Sequence, residues 1–277
     1  MSLLPALGAS LQATGVELLV LLGPLALAVA ALNLSSALLL RAAIGLLGRR
    51  AFLAAFGWLG TAVHELSHAL FCVLFGHKIT ELKLFDPGAA GGSLGYVRHA
   101  YNPKNPYHQL GNLFIAIGPI VVGAAALTAA AILLLGGGEL GAQPFAADGM
   151  AGGPSAAALA AQILGGAREI GARLTGGGHS SWLGAAGFLY LAIAIGSLMG
   201  MSREDFVGAL PGLAAVVATL FLANLVSALV TGDTLERVAW SATRHLAVAY
   251  SVMIVAAAID LAAAAVLFPI SLVTRRS

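Results

Sequence analysis

The stretch Ala51-Phe-Leu-Ala-Ala-Phe-Gly-Trp-Leu-Gly-Thr-Ala-Val-His64-Glu65-Leu-Ser-His68-Ala-Leu-Phe-Cys72-Val-Leu-Phe-Gly76 is an apolar run of membrane-spanning length. Three ionisable residues fall within five positions of its centre. About 20 apolar residues cross the roughly 30 Å of bilayer hydrocarbon. An ionisable side chain at that depth costs at least about 2.5 kcal/mol and marks a functional site. On a helix, residues four apart lie one above the other, so His64 and His68 present ring nitrogens to one point with Glu65 beside it. That is a two-histidine zinc pattern with an adjacent carboxylate for proton transfer. With seven His and seven Glu in the chain, chance supplies roughly 0.005 such matches.

The remainder of the sequence agrees with a lipid environment. Its 277 residues are 59% hydrophobic and 9% charged, whereas about a quarter of an ordinary soluble domain is charged. Further apolar runs lie near 16 to 40, 110 to 135, 181 to 200, 208 to 231 and 246 to 272. Together with 52 to 76 they predict an all-α polytopic membrane protein of about six transmembrane helices. The first run is too long for a signal-peptide apolar region and reads as a retained helix. Backbone groups have no water partner in lipid, and period-two alternation is nearly absent, so a β-barrel is disfavoured. The net charge of +2 is scattered, with no basic run to track a phosphate backbone, which argues against a nucleic-acid partner.

Residues 77 to 109 are the most polar segment. Two alternating runs there, Ile79 to Phe85 and Leu94 to Tyr101, joined through Pro87-Gly88 and Gly91-Gly92, predict a small β-hairpin. Residues 136 to 180 are rich in Gly and Ala. Within them Leu159, Ile163, Ile170 and Leu174 recur at helical spacing between Ser155 and Leu174, which fits a surface helix and an irregular loop equally. Six spans place 77 to 109, 201 to 207 and both termini on one face. Lys and Arg divide evenly between the two faces, so the charge rule assigns no orientation.

Two histidines do not complete a catalytic zinc site, which takes three protein ligands and water. Glu139, Asp148 and His179 fall on the opposite face. Asp205 follows the fourth span on the motif's own face, in a segment with Ser202, Gly208 and Pro211 that reads as a helix break. Asp260, alone in the sixth span, is the alternative ligand at matching depth. Cys72 lies one turn beyond His68 and reads as a packed core thiol. Asn112, His108 and Asn224 are candidates for binding substrate or stabilising an oxyanion, with interhelical hydrogen bonding as their plainer role.

His64-Glu65-Leu66-Ser67-His68 in a span, the polar β-like segment after it, Gly118-Pro119 in the next span and the later Asp205 resemble the site-2 protease group of intramembrane zinc metalloproteases, M50-like peptidases. The resemblance covers about 52 to 213. It departs at the third ligand, where the family's Asn-Pro-rich, Leu-Asp-Gly-ending signature is replaced by Arg203-Glu204-Asp205-Phe206. With the first span and the last as additions to it, the chain divides into a transmembrane helix and basic loop over 1–50, a metalloprotease core over 51–231 and a C-terminal helix over 232–277. The resemblance implies one Zn²⁺ per chain held by His64, His68 and Asp205, with Glu65 as the catalytic base. The implied substrate is a membrane-embedded peptide in the lipid bilayer of a prokaryotic cell membrane, with the active site toward the cytosol; a helical substrate must unwind before cleavage, and the hairpin near 79 to 101 offers it an edge to join as an added strand. The rival reading is a non-proteolytic membrane protein, a silent scaffold or metal transporter, that retains a metal site.

Overall fold

The computed structural model describes residues 2–88, 94–136, 155–176 and 181–274. Gly91-Gly92, Glu139, Asp148 and His179 lie outside these residues. The described chain is mostly helical. Helix α1 (Leu3–Leu47) is followed by a continuous helical stretch made of α2 (Arg49–Phe52), a π-helical turn (Leu53–Gly57) and α3 (Trp58–Leu74). Strands β1 (Lys78–Lys83) and β2 (Tyr96–Ala100) come next, then α4 (Pro106–Leu135), α5 (Ala156–Leu174) and α6 (Trp182–Leu191). Helix α6 runs into a second π-helical turn (Ala192–Gly196), and α7 (Arg203–Val230) and α8 (Glu236–Thr274) close the chain.

Among the described residues four helices are long and apolar enough to cross a membrane: Leu3–Leu47, Pro106–Leu135, Arg203–Val230 and His245–Ser271. The expected second and fourth spans are helical too, but neither is a plain α-helix. Each is interrupted by a π turn, a feature that concentrates at functional sites because it re-aims the carbonyls around it. The two irregular stretches meet. A methyl group placed on Gly60 of α3 would sit 2.0 Å from the Ala194 carbonyl oxygen, so only a residue without a side chain admits this backbone approach.

What the helices bury identifies their solvent. Helix α1 packs Ala6, Ser10, Ala13, Thr14, Ala42 and Ala43 inward, while Leu19 and Leu27 are 72% and 75% exposed. Small residues inside and large apolar ones outside is the packing of helices in lipid, where close backbone approach replaces the hydrophobic effect as the cohesive term. Helix α4 is central, packing on α3, α6, α7 and α8, while α1 and α8 pair along their lengths. Helix α5 settles the two readings of 155 to 174. Ser155 caps it by accepting the Ala158 N–H at 3.2 Å, and Leu159, Ile163 and Ile170 are buried. Ser251 of α8 donates to the Ile163 carbonyl at 2.9 Å, so the amphipathic face rests on the bundle.

The hairpin forms where alternation predicts it. β1 and β2 pair antiparallel, with Lys78 opposite Ala100 and Lys83 opposite Tyr96, and a register irregularity between Ile79 and Glu81. Arg98 bridges to Glu81 at 2.9 Å across the strands. The expected break at 208 to 212 is a correction: α7 runs through Gly208 and Pro211 as continuous helix. Its start lies just ahead of Asp205, where Ser202 and Asp205 form a reciprocal capping box. This cap satisfies N–H groups that a helix end otherwise leaves without partners.

Candidate active site and metal centre

His64 and His68 stand one turn apart on α3, and each ring is fixed from behind. His64 Nδ1 donates to the Leu198 carbonyl at 2.7 Å, just past the second π turn. His68 Nδ1 donates to the Ile115 carbonyl of α4, also at 2.7 Å. Donation at Nδ1 assigns the lone pair to Nε2 on both rings, the tautomer in which a metal-ligating histidine is held by an outer-shell acceptor. The two Nε2 atoms face each other at 3.1 Å. Two lone pairs at that distance repel unless they share a cation.

The third group arrives from α7. Asp205 Oδ1 is 3.4 Å from His68 Nε2, and Oδ2 of the same carboxylate accepts the Ser202 N–H at 2.9 Å. The capping box that starts α7 therefore fixes one carboxylate oxygen and leaves the other facing the histidines. Ligand atoms of His64, His68 and Asp205 all lie within 4.8 Å of one another. A tetrahedral zinc ion with bonds of about 2.0–2.1 Å separates its ligand atoms by roughly 3.3 Å, which the 3.1 and 3.4 Å contacts match. The donor set of two imidazoles and a carboxylate fits zinc, and three protein ligands leave the fourth position open.

Glu65 is buried at 7% exposure. The chain leading into β2 crosses directly over it, because a methyl group on Gly95 would meet Glu65 Cγ at 2.7 Å. The hairpin is thus a wall of the same site. Asn112 lies three residues before Ile115 on α4, is buried, and its Nδ2 has no hydrogen-bond partner. It is a donor held in reserve one turn from the His68 anchor.

The other sequence candidates are elsewhere. Asp260 accepts a hydrogen bond from Ser36 of α1 at 3.2 Å and is not part of the cluster. Asn224 is fully buried between helices: its amide donates to Glu17 at 2.8 Å and Thr14 at 3.3 Å, and its carbonyl accepts the Leu235 N–H at 2.8 Å. It clasps α7 to α1, the plainer of the two roles its sequence position allows. His108 accepts the Asn102 N–H through Nδ1 at 3.1 Å. The carbonyls of Leu198 and Ile115, which aim both histidine rings, carry no sequence signal. The cap does carry one, Ser202-x-x-Asp205, in a segment whose Gly208 and Pro211 point to a break.

Apolar-faced helices around a His-Glu-x-x-His turn define a polytopic helical membrane protein built about a cluster of side chains that could hold a metal ion. Within it, residues 20–98 match the family model described as peptidase M50B-like. The match includes the whole motif helix and most of the hairpin, and it supports both the resemblance to site-2 proteases and a peptidase-related membrane protein. It ends before Asp205, so the third ligand rests on geometry. No curated protein and no solved structure matches the chain.

Proposed function

We propose that this chain is an intramembrane zinc metalloprotease that hydrolyses peptide bonds of transmembrane or membrane-proximal substrates. The observation that carries the reading is the pair of Nε2 atoms 3.1 Å apart, each backed by a carbonyl at Nδ1 and both within 4.8 Å of an Asp205 oxygen. His64, His68 and Asp205 would hold the ion. When bound, zinc lowers the pKa of water toward 7 and polarises a carbonyl oxygen.

The remaining steps belong to the chain's own residues. Glu65 takes the proton from the attacking water on its carboxylate and hands it to the leaving amine nitrogen as the C–N bond breaks. The ring hydrogen bonds to Leu198 and Ile115 keep both imidazoles in one orientation throughout. The Asn112 amide, buried and without a hydrogen-bond partner, would donate to the oxygen on which negative charge develops. A helical substrate hides its carbonyls in internal hydrogen bonds, so its scissile segment must unwind; the exposed strand edges beside Gly95 supply replacement backbone partners.

The two π-interrupted stretches complete six crossings, and the sidedness taken here is the one the family resemblance implies, with the hairpin and site toward the cytosol of a prokaryotic cell membrane. The transporter alternative asks for ionisable groups lining a path. Glu17 and Asp260 instead engage Asn224 and Ser36 between packed helices. The test is purified chain in liposomes with a single-span peptide. Cleavage that stops on chelation and returns with zinc is expected; an intact substrate at full zinc occupancy sinks the proteolytic reading.

A further inference from the structure

Helix α3 ends in a Schellman turn. Gly76 takes a φ of +71°, the His77 N–H donates to the Cys72 carbonyl at 2.8 Å and the Gly76 N–H to Val73 at 3.2 Å. Such turns bring the side chains at the positions of Cys72 and His77 together, usually as an apolar contact. Here the pair is a thiol and an imidazole, both buried. Strand β2 adds a third group: His99, opposite Ile79 in the register, places Nδ1 3.0 Å from His77 Nδ1. His77 Nε2 donates to the His108 carbonyl at 2.9 Å, which leaves a lone pair on the Nδ1 that faces His99. Tyr101 stacks on His77 at 4.9 Å between ring centres and fixes the ring plane. Ligand atoms of Cys72, His77 and His99 lie within 4.8 Å of one another.

We propose that Cys72, His77 and His99 form a second metal site, for a zinc-like divalent ion. One thiolate and two imidazoles suit zinc and do not suit the hard oxygen-seeking cations. As the sulfur–metal bond forms, the Cys72 S–H bond breaks and its proton leaves to solvent. The site is separate from the His64 cluster, because a straight helix rises about 6 Å over the four residues from His68 to Cys72. It joins β2 to the end of α3. His99 is four residues from Gly95, which lies over Glu65, so an ion here sets how closely the hairpin wall approaches the catalytic carboxylate.

This inference does not depend on proteolysis. The test uses the full chain in detergent, loaded with Co²⁺ in place of zinc, with metal counted per chain. Cys72 is the single cysteine in the sequence, so a thiolate-to-cobalt charge-transfer band reports this site alone. Wild type is expected to hold two ions per chain and show the band. Cys72→Ser and His99→Ala should each hold one ion and lose the band, whereas His64→Ala should hold one ion and keep it. A monodisperse wild type with one ion and no band overturns the proposal, as does Cys72→Ser retaining two; the histidines are then a hydrogen-bonded pair. If His64→Ala leaves ion count and band unchanged at one, the second site stands and the first falls. His99→Ala, on a strand outside the bundle, keeps the test decisive if Cys72→Ser misfolds.

Discussion

Asp205 Oδ1 lies 3.4 Å from His68 Nε2, although the two residues are 137 positions apart and on different helices. The contact exists because α7 begins at this point and nowhere else. Ser202 and Asp205 cap the helix reciprocally, and a carboxylate with one oxygen committed to the cap has only the other to offer the histidines. The local signature differs from Leu-Asp-Gly, yet it delivers a carboxylate to the same chemistry by a different device.

The first prediction separates the two candidate carboxylates. Asp205→Ala should lose one zinc ion per chain from the His64 and His68 site, while Asp260→Ala should keep it. Metal analysis of the two purified variants, referred to His64→Ala, decides; loss from Asp260→Ala with retention in Asp205→Ala reverses the assignment.

The cap gives the second. Ser202→Ala removes the side-chain acceptor for the Asp205 N–H, which costs about 1 kcal/mol of helix stability. The Ser202 N–H still reaches Asp205 Oδ2, but the turn that aims it is loosened, and outer support of a ligand is worth up to about 10- to 100-fold in metal affinity. Ser202→Thr keeps the cap and should restore tight binding in a chelator competition. Equal zinc affinity in all three proteins would detach the cap from the metal.

Packing at the crossing of α3 and the second π turn gives the third. Gly60→Val must force the Ala194 backbone away, at about 1–3 kcal/mol, and move Leu198, whose carbonyl holds His64. Gly208→Ala, at a position with open space around it, should leave melting temperature and zinc content unchanged or raise stability slightly. Identical behaviour of the two variants in thermal unfolding argues against the close approach.

The two asparagines should part company. Asn224→Ala strips Glu17 of a donor and the Leu235 N–H of its acceptor, costing about 1–3 kcal/mol or more, with zinc content intact. Asn112→Ala should instead keep stability and slow cleavage by about 10²-fold, the usual loss on removing one oxyanion donor. Unchanged turnover in Asn112→Ala would return that residue to a packing role.

The motif helix, the hairpin and the lipid-facing character of the bundle were legible in the sequence because each rests on a local period. Helical spacing put His64 and His68 together, and alternation marked β1 and β2. The π turns were not legible, since Leu53–Gly57 and Ala192–Gly196 are apolar stretches with no sequence mark of irregularity. Gly208 and Pro211 suggest a break, whereas the capping box at Ser202 and packing on α4 carry α7 through them. Asn224 drew attention as a polar residue in a span; only its partners on α1 reveal a clasp. His77 and His99 drew none, because their relation runs through a helix-terminating turn and a strand pairing 22 residues apart.

The central claim is tested most directly by Glu65→Gln. The variant, loaded with zinc to the wild-type stoichiometry and reconstituted beside it in liposomes, is offered the same single-span peptide. A carboxamide cannot take the proton from water, so the account predicts full zinc content with cleavage reduced by about 10²-fold or more. Cleavage by Glu65→Gln at the wild-type rate would contradict it.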